Sequence, residues 1–201
     1  MKKFWMLISL LVIIIPFETV LGDAEVQAPV YQEGDSWIMK ATEKNIRLQT
    51  SQALQGEYEI TYSNDKFRVF ELRGGKRLRE VDSRHLLGFM FFIPQREDNY
   101  VRFPLSEGKG WDITRTERFP GTTQSETRKV SYKVSGIENV TTPAGEFRSF
   151  KITRTDVGPK SSWVDEYYYS PETKSIIKLI GERSVSGDKR EIELLKYGCN
   201  C

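Results

Sequence analysis

The feature that most constrains this chain is a hydrophobic period of two. In Glu57-Tyr58-Glu59-Ile60-Thr61-Tyr62 the residues Tyr58, Ile60 and Tyr62 share one face, and Glu57, Glu59 and Thr61 share the other. Val130, Tyr132 and Val134 alternate in the same way with Lys129, Ser131 and Lys133. Side chains alternate across a strand, so each run reads as a strand with one buried and one wet face. Turn signals separate the runs: Asn64-Asp65, Gly74-Gly75, Gly158-Pro159 and Gly187-Asp188. They define hairpins pairing 67–72 with 76–81, 148–156 with 162–169, and 175–184 with 189–197. Consecutive hairpins make an antiparallel meander. The expected fold is all-β and mainly antiparallel, with about ten strands. These strands would form a strongly curved sheet or an open β-barrel or sandwich with little helix. Phase changes within Phe67–Leu72 and between Phe147 and Phe150 suggest bulges.

One stretch resists this reading. Ser83–Ile93 (SRHLLGFMFFI) is the most apolar internal segment. Asp82 or Ser83 could cap a helix, whereas Gly88 and the aromatic run favour extended structure. Strand and helix both stay open there.

Residues 1–22 stand apart. Lys2 and Lys3 precede an apolar run of about 14 residues, shorter than the roughly 20 that span a membrane. Val20 and Gly22 are small residues ahead of Asp23, as in a secretory signal peptide cleaved after Gly22. Asp23 stands where a lipoprotein box would need cysteine, so a soluble product with no later membrane span is expected. The plan is then a leader over 1–22, a loose segment over 23–33, one β-rich domain over 34–198 and a Cys-x-Cys tail over 199–201. Export to the periplasm or beyond follows.

Composition excludes several functions. The net charge is only +2, with one His and two Cys. Nucleic acid binding lacks its electrostatic field, and a multi-His or four-Cys metal site lacks its ligands. No metal or other cofactor is expected. Arg73, Lys76, Arg77 and Arg79 around Gly74-Gly75 read first as a charged hairpin, and second as an anion or membrane contact.

Four patches recur in a fixed order: YQEGDSW (31–37), FPLSEGKGW (103–111), GIENVTTPAGEFRSFKI (136–152) and YYSPETKSIIK (168–178). Together they resemble the TapB-like family of exported bacterial proteins, built on a domain of unknown function. The resemblance implies an exported, sheet-rich domain and carries no catalytic assignment. Each patch also has an architectural reading. Pro143 fixes φ and Gly145 permits φ > 0, which suits a tight turn that delivers Phe147 to the core. Pro171 starts a second turn. Pro104 limits pairing and places its segment at an edge or between sheets. Trp37 and Trp111, each in a G-x-x-W context, would close the ends of the core, with each indole N–H seeking a carbonyl.

Catalytic chemistry finds little support. His85 lies beside Leu86-Leu87, with no G-x-S-x-G motif anywhere. Asp165 and Glu166 are adjacent on a strand and point to opposite faces. No catalytic residue is assigned, and a non-enzymatic protein is expected. Its function would be to bind a hydrophobic ligand or an envelope protein through the curved sheet, with Phe89, Phe91, Trp163, Tyr167 and Tyr169 as the ligand-facing aromatics. Two alternatives remain: an envelope hydrolase using a carboxylate pair, and a thiol-linked module using Cys199 and Cys201. Those two thiols fit a small terminal disulfide ring, intermolecular bonds or free thiols.

Overall fold

The computed structural model describes residues 25–45, 50–82, 101–118, 123, 125–185 and 187–198. The leader, the 83–93 segment with His85, Phe89 and Phe91, and the tail with Cys199 and Cys201 lie outside them. The described residues form ten strands: β1 (Ser36–Asn45), β2 (Thr50–Ser63), β3 (Lys66–Glu71), β4 (Arg77–Asp82), β5 (Gly110–Arg118), β6 (Ser125–Thr142), β7 (Gly145–Val157), β8 (Ser162–Ser170), β9 (Ser175–Arg183) and β10 (Lys189–Gly198). They lie in one sheet in the order β4-β3-β2-β1-β10-β9-β8-β7-β6-β5. Every neighbouring pair is antiparallel. The fold is thus the expected all-β curved sheet. Chain order is broken only where the first strand meets the last, Ser36 opposite Gly198. Among the described residues no ladder joins β4 to β5, so the sheet is open.

Local chemistry sets the turns. Asn64 and Asp65 both adopt positive φ (53° and 58°) between Ser63 and Lys66, a two-residue turn that matches strand twist. Gly145 has φ 140° and pairs with Thr142, so Pro143-Ala144 is a two-residue turn, and Phe147 is buried two residues on. The expected bulge near Phe67–Leu72 falls between Val69 and Phe70, against β4. The bulge expected in β7 is instead in its partner β6, between Val134 and Gly136. Phe147 and Phe150 are both buried for another reason. The β6–β7 turn reaches β10, where the Ala144 N–H donates to the Leu194 carbonyl (3.3 Å) and Phe147 packs edge-on against Tyr197 (5.7 Å).

The inner face is packed with Trp37, Met39, Ile60, Phe67, Tyr167, Tyr169, Phe150, Ile152 and Leu194, each at most 2% exposed. The four patches meet at one end of this core. Trp37 Nε1 donates to the Thr173 carbonyl (2.8 Å), Tyr31 Oη donates to the Lys174 carbonyl (3.1 Å), and Lys174 Nζ pairs with buried Asp35 (3.3 Å). Leu105, just after the cis Phe103–Pro104 bond, exchanges backbone hydrogen bonds with Val26 (2.8 and 2.7 Å), and Phe103 packs on Tyr169. The segment expected to be loose over 23–33 therefore carries a strap that closes this end. Trp111 behaves differently from Trp37. Its ring stacks on Tyr132 at 4.8 Å, but its buried N–H finds no carbonyl among the described residues.

Candidate functional site

The opposite end of the inner face is polar, and sequence phase explains why. On β10 the buried face runs Leu194, Ile192, Arg190. On β7 it runs Ile152, Arg154, Asp156. On β6 it runs Val134, Tyr132, Val130, Arg128, Glu126. On β8 Tyr167 is followed, two residues back, by Asp165. The registers align these positions: Arg154 lies opposite Asp165, and Asp156 opposite Val130 and Trp163.

A continuous chain of ion pairs results. Glu126 accepts from Arg128 Nη1 at 2.6 Å, and Arg128 Nε donates to Asp156 at 2.7 Å. Asp156 also accepts from Arg115 (2.7 Å) and Arg154 (2.5 Å). Arg154 Nη1 continues to Asp165 at 3.0 Å, and Asp165 accepts from Arg190 at 2.8 Å. Tyr167 Oη donates to the same carboxylate at 3.3 Å. Arg190 lies 4.6 Å from the centre of the Trp163 ring, and Arg183 lies 5.5 Å from it. A guanidinium over an indole face gains cation–π attraction.

Electrostatics fix the protonation states. Burial works to raise the Asp156 pKa, but Arg154, Arg128 and Arg115 outweigh it and hold the carboxyl below its usual range. Burial works against the Arg154 charge, and Tyr167, Tyr132, Asp165 and Asp156 outweigh it in turn, so its pKa rises. Burial first, then the Asp165 charge, pushes the Tyr167 phenol well up. On the outer face, Glu166 accepts from Lys151 at 2.7 Å and from Tyr168 at 3.0 Å. The Lys151 hydrogen bond is the chief cause of its lowered pKa. Asp165 and Glu166 thus do serve opposite faces.

The aromatics singled out in the sequence separate. Tyr167 and Tyr169 lie in the core at 0% and 1% exposure. Burial raises the Tyr169 phenol pKa. Neither ring offers surface to a ligand in this arrangement. Trp163 is half-buried beside its two arginines. The ionic chain itself was not anticipated. Its signal is the in-phase continuation of each apolar alternation into Arg or Asp at the same end of four strands.

An open cleft of about 700 Å³ lies at this polar end, beside the β3–β4 turn, lined by residues that include Lys40, Ala41, Gly56, Glu71, Leu72 and Arg73. Two cations and two acids (Glu57 is the second) share it with Leu72, which is 44% exposed. Among the described residues no group of His, Cys, Asp and Glu is arranged to hold a metal ion.

No family model matches this chain. No curated protein matches it. Three crystal structures are similar in backbone trace. One is a candidate lipoprotein from Parabacteroides distasonis, 12% identical, with a TM-score of 0.47 over 87% of this chain and 100% of that one. Another is a candidate exported protein with a YmcC-like fold from Bacteroides fragilis, 12% identical, with a TM-score of 0.44 over 87% and 100%. The third is the hypothetical lipoprotein YmcC from Escherichia coli K12, 11% identical, with a TM-score of 0.42 over 80% and 84%.

Proposed function

We propose that this chain is an exported bacterial envelope protein without catalytic activity, and that it binds a partner at the polar end of its curved sheet. The observation that carries the binding reading is the cleft beside the β3–β4 turn, about 700 Å³ in volume and mixed in polarity. Pockets of this size with a few convergent polar groups are where ligands commonly bind. Export is supported by the cleavable leader read over residues 1–22 and by the resemblance to exported TapB-like proteins.

The chemistry of the two interior acids speaks against their serving as the carboxylate pair of a hydrolase. A hydrolase of that kind needs one acid with a raised pKa and one free base across a cleft. Asp156 and Asp165 are instead clasped by guanidinium groups in the interior, and the Asp156 pKa is lowered.

Native mass spectrometry of the processed protein, purified from its own envelope under mild conditions, tests the reading. The expected result is a co-purifying mass that is lost in a Leu72→Glu variant that still folds. A bare polypeptide, together with no cross-linked partner in the envelope, would overturn it.

A further inference from the structure

The β3–β4 hairpin ends in an amphipathic, cationic tip. Residues 72–78 read Leu-Arg-Gly-Gly-Lys-Arg-Leu, with three cations, two leucines and no acid. All seven are exposed, Leu72 at 44% and Leu78 at 42%. Local structure explains the exposure. The Gly75 N–H donates to the Glu71 carbonyl (3.0 Å) and the Glu71 N–H to the Lys76 carbonyl (2.9 Å), so residues 72–75 form the turn. Gly74 and Gly75 both adopt positive φ (103° and 65°), and a Cβ built on either meets no atom of the described residues within 4 Å. Leu72 is out of phase with the buried Phe67 and Val69 of β3. On β4, Arg79 pairs with Val69 and Arg77 with Phe70, which leaves Leu78 as the extra residue of a bulge. Strand phase and a bulge thus turn both leucines out of the core.

The acids near the tip sit behind it. Glu57 and Glu71 line the cleft at its base. Glu80 pairs with Lys66 (2.8 Å) and Arg68 (3.3 Å), with Arg77 at 3.7 Å, and the Arg77 side chain is still 62% exposed. The leading surface is therefore apolar and positively charged together.

We propose that this tip docks the protein on an anionic membrane surface. Leu72 and Leu78 enter the interfacial layer, while Arg73, Lys76 and Arg77 stay at the level of the lipid phosphates. A small soluble anion pairs with the cations but leaves both leucines in water. A lipid interface offers anionic headgroups and, deeper, acyl chains that cover the leucines. A fluid layer of headgroups also needs no matched geometry, which suits cations on long, exposed side chains. Reversible attachment is strengthened when an apolar signal and a basic signal act together, as they do here. The docking surface does not rest on the reading of the cleft, because Lys76, Arg77 and Leu78 are not among the described residues that line it.

Flotation of the processed protein with vesicles provides the test. The protein should float with vesicles of phosphatidylethanolamine and phosphatidylglycerol, stay behind with phosphatidylcholine alone, and be released as salt is raised. Amide exchange on the anionic vesicles should slow at residues 72–78. Lys76→Gln combined with Arg77→Gln should weaken binding about 25-fold, at about fivefold for each cation. Leu78→Ser should weaken it about fivefold. Unchanged exchange of β6 and β7 amides would show that these variants fold. Absence of flotation on anionic vesicles overturns the proposal, as does a footprint away from the hairpin. Binding that the charge variant leaves intact does the same, and binding indifferent to Leu78→Ser removes the insertion of the leucines. Slowed exchange at 72–78 with polyglutamate, without vesicle binding, would overturn the membrane assignment in favour of an acidic polypeptide.

Discussion

Arg190 on β10 reaches across an entire strand to grip Asp165 on β8, with Nη2 at 2.8 Å from each carboxylate oxygen. The strand between them is β9, and the residue opposite both is Gly181. Only the missing side chain lets the two meet. An added Cβ at Gly181 would lie 2.4 Å from Asp165 Oδ1 and 2.8 Å from Arg190 Nε. The conformation of one glycine thus matters less here than its emptiness.

Gly181→Ala should consequently disrupt the ion pair instead of merely filling space. The neighbouring atoms are charged groups already fixed by further partners, so they have little room to yield. We expect a loss of about 3 kcal/mol, at the upper end of overpacking effects. The midpoint of urea unfolding, at unchanged slope, measures it. A variant as stable as the parent would show that the pair can re-form around a methyl group.

Asp165 should matter more than Arg190. Asp165 neutralises both Arg154 and Arg190 and accepts from Tyr167, so Asp165→Asn leaves two buried guanidinium groups short of a charge. Arg190→Met leaves Asp165 with Arg154 and keeps an aliphatic stem over Trp163. Breaking a buried pair typically costs about 3–5 kcal/mol. We expect Asp165→Asn in that range and Arg190→Met below it, by equilibrium unfolding at neutral pH. The reverse order would mean that the network is organised around Trp163 and not around the carboxylate.

Acid should dissolve the same network. The Asp156 pKa is lowered in the folded state from an ordinary value of 3.8, so the folded protein binds this proton less readily than the unfolded chain. The stability contributed by Asp156 is then complete above about pH 4 to 5 and disappears as pH falls through the folded-state value. Unfolding free energy followed from pH 7 to pH 2 should fall in that acid window. Asp156→Asn should flatten the fall. Equal acid sensitivity in parent and variant would place the responsible carboxyl elsewhere.

The strands and turns were legible because each is set locally. Period-two alternation in 57–62 and 129–134 fixes which residues face inward, and Asn64-Asp65, Gly74-Gly75 and Pro143-Gly145 fix where the chain reverses. The pairing of β1 with β10 was not legible, since no local signal ties Ser36 to Gly198. The polar end was missed for a related reason. Arg154 and Asp156 look like wet-face residues until their phase is matched to Ile152. Their burial becomes credible only once Asp165 and Arg128 arrive from neighbouring strands. The β7 phase change was misplaced because Phe147 is covered by Tyr197, a contact between residues far apart in the chain. The cleft depends on a difference in length between β2 and β3, which residue types alone do not specify.

Two tryptophans separate hydrogen bonding from packing. Trp37 is fully buried and donates to the Thr173 carbonyl at 2.8 Å, which joins the start of β1 to the β8–β9 turn. Trp111 is 8% exposed and stacks on Tyr132 with its buried N–H unpaired among the described residues. Replacing each by Phe removes one ring of similar size. At Trp37 the change also removes the buried hydrogen bond to the Thr173 carbonyl, at a further cost of about 1 kcal/mol. At Trp111 it removes a polar group with no partner among the described residues, which offsets part of the lost packing. Trp37→Phe should therefore be the more destabilising by at least about 1 kcal/mol, and it should speed amide exchange in the 171–175 turn. Equal losses at the two sites would mean that the strap end is held by Tyr31 and Lys174 without help from the indole.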